Sequence, residues 1–203
     1  MQTPRVLYVS DTRVVPAEAL LARIDRAAGL PEDLRARLAV QLRDPELSSR
    51  ALFALGARLR DRTGALGVRL VVNDRIDLAL ALGADGVHLG RRSVSVDDAR
   101  ALLGDAAWIS VACHDLADVA AARRAGASAV TLSPIFASPG KGAPLGLSAL
   151  GEAKRALSGS GVGLVALGGI DAGTAGECLA AGADGVAVIR ADLGDGLAHL
   201  LRG

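Results

Sequence analysis

The feature that most restricts this chain is a repeated switch of hydrophobic period. Along its 203 residues, short runs of Val, Ile and Leu alternate eight times with segments whose apolar residues recur at helical spacing. Strands are predicted over residues 5–10, 38–43, 67–72, 86–89, 108–112, 129–133, 163–167 and 185–189. Helices are predicted over residues 16–29, 47–63, 75–82, 96–103, 116–124, 148–157, 174–181 and 197–201. Pro16 suits a first helical turn and Asp115 an N-cap. Parallel strands need crossover helices of this kind. Eight such units predict the α/β class and a (β/α)8 TIM barrel, one domain over residues 1–203. A doubly wound open sheet is the alternative. Three joints favour the barrel: Leu82-Gly83-Ala84-Asp85-Gly86, Ala125-Gly126-Ala127-Ser128-Ala129 and Ala181-Gly182-Ala183-Asp184-Gly185. Each carries a helix end into a strand start. Gly83, Gly126 and Gly182 fall where a helix stops in the left-handed conformation, at the barrel end away from chemistry.

Composition removes several function classes. A net charge of +1 marks neither a nucleic-acid nor a membrane-surface partner. One Trp, one Tyr and two Phe are too few to stack single-stranded bases. No apolar stretch reaches the length of a membrane span, and no signal peptide opens the chain. Two distant thiols, Cys113 and Cys178, suit a reducing compartment. The expected location is the cytoplasm.

A barrel assembles its active site from the C-terminal ends of its strands. Those ends carry Gln41, Arg43, Asn73, Asp74, His88, Gly90, Ala112, His114, Ser133, Gly168, Gly169, Ile189 and Arg190. Without Cβ atoms, Gly168 and Gly169 let backbone N–H groups approach an oxyanion. The loops after strands seven and eight are the usual phosphate site of barrels. Arg190 either adds a two-pronged cation there or is a solvated residue at a helix start. Arg43 suits a carboxylate or phosphate ligand, or a structural ion pair. His114 is the best proton-transfer candidate, with His88 behind it. Asp74 either ligates Mg²⁺ or caps the helix beside it. Cys113 and His114 are neighbours that face opposite ways, which argues against a Cys–His pair. The Pro- and Gly-rich run 133–146 follows a strand and is a lid candidate.

At these residues the chain resembles the family of thiamin phosphate synthases and their relatives, the thiazole tautomerases. The motifs are Gln41-Leu42-Arg43, Val72-Asn73-Asp74-Arg75, Gly86-Val87-His88-Leu89-Gly90, Ser133-Pro134-Ile135-Phe136 with Lys141, and Ala166-Leu167-Gly168-Gly169-Ile170. The resemblance implies a thiazole phosphate held by Gly168, Gly169, Ile189 and the neighbouring Arg190, with Ser138 and Gly140 in the loop. In the synthases a Gln-x-Arg-x-Lys run binds the pyrimidine diphosphate. Gln41 and Arg43 match it, while Pro45 stands at the lysine position. Asn73, Asp74 and Lys141 match the family's asparagine, first metal aspartate and diphosphate-contacting lysine. Its second metal aspartate falls at Ser93, a serine of strand five at Ala112, and a serine of the phosphate site at Arg190.

Losing a lysine and a metal carboxylate removes electrostatic help for departing pyrophosphate. The expected chemistry is therefore a thiazole tautomerisation, in which His114 moves one proton without metal or other cofactor. One alternative is a synthase that joins thiazole phosphate to pyrimidine diphosphate, with Mg²⁺ on Asp74. Another is a non-catalytic barrel that binds a thiamin precursor. The expected partner is a small phosphorylated thiazole, with no nucleic acid and no membrane; a homodimer is left open.

Overall fold

The structure, a computed structural model, is described for residues 2–192 and 194–202 without the side chain of Asp195. Its strands are β1 (Val6–Val9), β2 (Leu38–Leu42), β3 (Arg69–Asn73), β4 (Gly86–Leu89), β5 (Trp108–Cys113), β6 (Ala129–Leu132), β7 (Gly163–Leu167) and β8 (Gly185–Val188). They pair in chain order, all parallel, into a closed barrel. The closing pair is β1 with β8, where Leu7 lies opposite Ala187. That pair overturns the open-sheet alternative. The helices are α1 (Ala17–Asp25), α2 (Glu32–Arg35), α3 (Ser49–Leu66), α4 (Ile76–Ala81), α5 (Val96–Leu103), α6 (Leu116–Arg124), α7 (Gly146–Ala156), α8 (Ala175–Ala180) and α9 (Leu197–Arg202). None of the described helices is long and apolar enough to cross a membrane.

The alternation of strand residues separates two cores. Leu7, Val9, Ala39, Val165 and Ala187 pack inside the barrel, as do Val71, Trp108 and Ala129. Their chain neighbours, such as Leu38, Val40 and Leu42, face the helices in the larger outer core. At the N-terminal end of the barrel the Arg69 guanidinium lies 5.4 Å from the Trp108 ring centroid and donates to Gln2 O at 3.0 Å. This cation–π contact closes the barrel floor.

Local chemistry sets the element ends. Gly83 (φ 56°), Gly126 (φ 70°) and Gly182 (φ 111°) take the left-handed conformation expected of helix stops. The helix expected over residues 16–29 is shorter: α1 ends at Asp25, a 3₁₀ turn spans Arg26–Gly29, and α2 follows after Pro31. The third strand starts two residues late because Gly67 (φ 67°) caps α3 and Val68 N donates back to Thr63 O.

Gly86 has a different reason. It is paired with Trp108, and a Cβ there would lie 1.8 Å from the Trp108 carbonyl oxygen. Backbone must move to relieve such a contact, and overpacking of this kind costs about 3 kcal/mol. Gly86→Ala is therefore expected to lower the stability of the protein by about 3 kcal/mol in urea unfolding. An unchanged midpoint would show that β4 and β5 are less tightly registered than described.

Candidate active site

A cavity of about 450 Å³ opens at the C-terminal ends of β6, β7 and β8. It gathers Ser138, Lys141, Gly168, Gly169, Ile189 and Arg190 from three separate segments. The two glycines do more than expose their amides. At Gly169 (φ 66°) a Cβ would lie 2.7 Å from Ala137 O, and at Gly168 (φ 104°) 2.8 Å from Pro134 Cα. The root of the loop 133–146 packs directly on them. Ile135 N donates to Leu167 O at 2.9 Å and Phe136 N to Gly168 O at 3.0 Å. The Gly-Gly pair is thus required by close backbone packing, apart from any role in exposing amides. Arg190 has no carboxylate partner among the described residues.

Behind β8 lies a residue that the sequence reading missed. Arg23 of α1 is 9% exposed. Its Nη1 donates to Ile189 O and Ala191 O, both at 3.2 Å, and its Nη2 to Arg190 O at 3.0 Å. The signal was an arginine on the apolar stripe of α1, beside Leu20, Leu21 and Ile24.

A chain of polar side chains crosses the other side of the mouth, from β2 to the turn after β4. Gln41 Nε2 donates to Asn73 Oδ1 at 3.0 Å, and Asn73 Nδ2 to Asp74 Oδ2 at 2.7 Å. Asp74 Oδ1 accepts from the Gly90 amide at 3.2 Å and from the Ser93 hydroxyl. Ser93, the position at which the resemblance breaks, is therefore joined to the very carboxylate it should accompany. Asp74 is in the left-handed region (φ 58°), a strained backbone for a non-glycine residue. It does not cap α4, whose first flanking residue is Arg75 without a side-chain cap. The capping alternative is set aside.

Arg43 reaches Asp11 Oδ2 at 3.7 Å with its side chain 38% exposed. Asp11 was not singled out in the sequence. Hydrogen bonds from Arg13 hold its carboxyl below the usual carboxylate range. Asp44 Oδ2 accepts from Thr12 N at 2.6 Å, which ties the loop after β2 to the loop after β1.

His114 stands just past β5. Its Nδ1 lies 2.9 Å from Ser133 O. A carbonyl can only accept, so Nδ1 carries the hydrogen and Nε2 of the neutral ring is bare. His114 touches the cavity through Ser133 and does not itself line it. His88 is buried inside the barrel with Nδ1 2.8 Å from Ser110 Oγ, and burial pushes its pKa down to about 4. It is neutral at pH 7. Cys113 faces the outer core, where burial pushes its thiol up to about 12. That removes it as a nucleophile.

Comparisons with known proteins agree on this architecture. A family described as thiamine monophosphate synthase matches residues 7–191. The thiamine-phosphate synthase of Roseiflexus castenholzii is 39% identical over 193 residues, covering 93% of this chain and 81% of the relative. That of Methanoculleus marisnigri is 41% identical over 179 residues, covering 87% and 80%. The solved thiamine phosphate pyrophosphorylase of Pyrococcus furiosus superposes with a TM-score of 0.78 at 25% identity, covering 97% of this chain and 91% of that one.

A Cβ at position 169 would strain a left-handed backbone and push the loop root off β7. Gly169→Ala is expected to weaken inorganic phosphate binding about tenfold, equivalent to about 1.4 kcal/mol, by isothermal titration. Unchanged affinity would move the phosphate site away from this cavity.

Proposed function

This chain belongs to the thiamine monophosphate synthase family, and we propose that it joins a thiazole phosphate to an aminopyrimidine methyl diphosphate, releasing pyrophosphate. The thiazole nitrogen forms a bond to the pyrimidine methylene carbon. The carbon–oxygen bond to the diphosphate breaks, and the oxygen leaves with its electron pair. The positive charge ends on the thiazolium ring. The expectation of a metal-independent tautomerisation as the main reaction gives way to this reading, because the relatives it matches bear the name of the synthase.

One observation carries the proposal: a cavity walled by glycine backbone and a separate run of polar side chains share one barrel mouth. On the β7–β8 side, backbone around Gly168, Gly169 and Ile189 suits a phosphate monoester. On the β2–β4 side, Gln41, Asn73 and Asp74 form a hydrogen-bonded run with Arg43 nearby. Lys141, in the loop after β6, adds a cation to the β7–β8 cavity. A reaction with one persistent phosphate and one departing diphosphate needs such a pair.

The donor set at Asp74 fits Mg²⁺, which takes hard oxygen ligands and usually keeps several waters. Asp74, hydrogen-bonded by the Ser93 hydroxyl, would hold the ion, which when bound supplies positive charge against the leaving diphosphate. Arg43 and Lys141 hold the diphosphate oxygens, and the Gln41–Asn73 bond fixes the amides that face the pyrimidine side. This bond exchange leaves no proton for His114 to remove.

With both substrates and Mg²⁺, the protein is expected to form thiamin phosphate and pyrophosphate, and a chelator should stop it. Arg43→Ala and Lys141→Ala should each lower kcat by roughly 10²- to 10³-fold. His114→Asn should change coupling less than about tenfold, since general acid–base help is worth typically 10²- to 10⁴-fold where it operates. Proton exchange into the thiazole without coupling, lost in His114→Asn, would restore the tautomerase reading.

A carboxylate added at position 93 supplies a second metal ligand. Ser93→Asp is expected to lower the Mg²⁺ concentration giving half-maximal rate and to tighten Mn²⁺ binding seen by electron paramagnetic resonance. Identical metal dependence in the two proteins would remove Ser93 from the site.

A further inference from the structure

Three consecutive carbonyl groups, those of Ile189, Arg190 and Ala191, converge on the single guanidinium of Arg23. In a trans peptide the C=O and the following N–H point in opposite directions. The N–H groups of Arg190, Ala191 and Asp192 therefore face away from Arg23. None of the three donates to another described residue. The cavity at the ends of β7 and β8 is lined by Ile189, Arg190 and Ala191. Successive amides aimed the same way form a concave anion site.

We infer that Arg23 is a positioning residue for phosphate binding: from behind β8 it turns the backbone amides of residues 190 and 191 towards the phosphate monoester of the substrate. The ligand class rests on the synthase reading above, while the anion site itself does not. Arg23 suits the task because a guanidinium offers five donors in a rigid fork and holds several carbonyls at once. A lysine ammonium also has three donors, but they radiate from one nitrogen and do not match carbonyls divided between two separate guanidinium nitrogens. Arg23 is itself steadied by Asp192, whose Oδ2 lies 3.9 Å from Arg23 Nε and 2.5 Å from Arg26 Nη2. Helix α1 thereby fixes the shape of a loop some 166 residues further along the chain. The guanidinium acts on the phosphate only through the amides that it orients. The residue stays buried, on the helix side of the strand.

The test is Arg23→Met, which keeps the packing stem and removes the donors. Inorganic phosphate should bind at least tenfold more weakly by isothermal titration. KM for the thiazole phosphate should rise by a similar factor, while KM for the pyrimidine diphosphate stays within twofold. In the wild-type protein, ¹⁵N amide resonances of Arg190 and Ala191 should shift on adding phosphate, and in the variant they should not. Arg23→Lys should give an intermediate loss, and it stands in if the methionine variant does not fold. A folded variant with unchanged phosphate affinity overturns the proposal, as do amides that ignore phosphate in the wild type. A wild-type protein that binds phosphate through Arg23 yet makes no thiamin phosphate would sustain this inference and defeat the synthase reading.

Discussion

The pairing of β1 with β8 is the contact on which the site depends. It turns eight local strand-and-helix units into a ring whose strands all end on one side. Residues far apart in sequence then become neighbours. Gln41 reaches Asn73 across 32 positions, and Asp74 reaches Ser93 across 19. The ring also limits what can sit inside it. Ala39, Ala129 and Ala187 keep the interior narrow, and Gly86 and Gly185 let neighbouring backbone approach. Trp108 is the one bulky interior aromatic in that ring among the described residues, and it lies at the floor, under Arg69. The mouth is left to polar groups.

The two halves of that mouth are built differently for a physical reason. A phosphate monoester that stays on its substrate carries the same charge before and after the reaction. Amides that bind it hold ground state and transition state alike, which anchors the substrate without changing the barrier. The departing diphosphate gains charge as its bond breaks. On the proposed synthase reading, cations such as Arg43 and Lys141 suit that change, because they meet charge that grows as the transition state is reached. Backbone amides for a persistent anion and charged side chains for a leaving one are the division of labour that this reading assigns to the mouth. Arg43, with its side chain 38% exposed and 3.7 Å from Asp11, is loosely held enough to respond.

How much of this was legible in the sequence depends on the range of the signal. Strand and helix periodicity, the glycine stops at 83, 126 and 182, and the Asp115 cap are local, and they stand in the structure. That Gly168, Gly169 and Arg190 share a cavity followed from barrel topology once the strands were counted, whereas Ser138 and Lys141 were implied by the family resemblance. Arg23 and Asp11 were not singled out, because what they do lies on other elements. An arginine within an apolar helical stripe reads as a snorkelling surface residue until the carbonyls it meets are known. The relatives support the synthase alternative better than the expected tautomerisation. In the sequence each departure reads as a missing part, without the partners that surround the substituted residue.

Ser93 shows why that reading misleads. A carboxylate at position 93 would add a metal ligand and also a second negative charge beside Asp74, in the corner to which the synthase reading assigns a polyanion. Serine gives up the ligand, but it relieves that repulsion and donates its hydroxyl to Asp74. The same turn carries Arg91 and Arg92, immediately before Ser93, with Arg91 Nη2 3.7 Å from Asp118 and its side chain 69% exposed. Exchanging one anion for a neutral donor, with two cations in the same turn, shifts the local field towards the diphosphate even though Pro45 supplies no charge after β2. The serine at position 93 is thus a redistribution of charge around Asp74, which keeps this corner compatible with the proposed role of holding a leaving diphosphate.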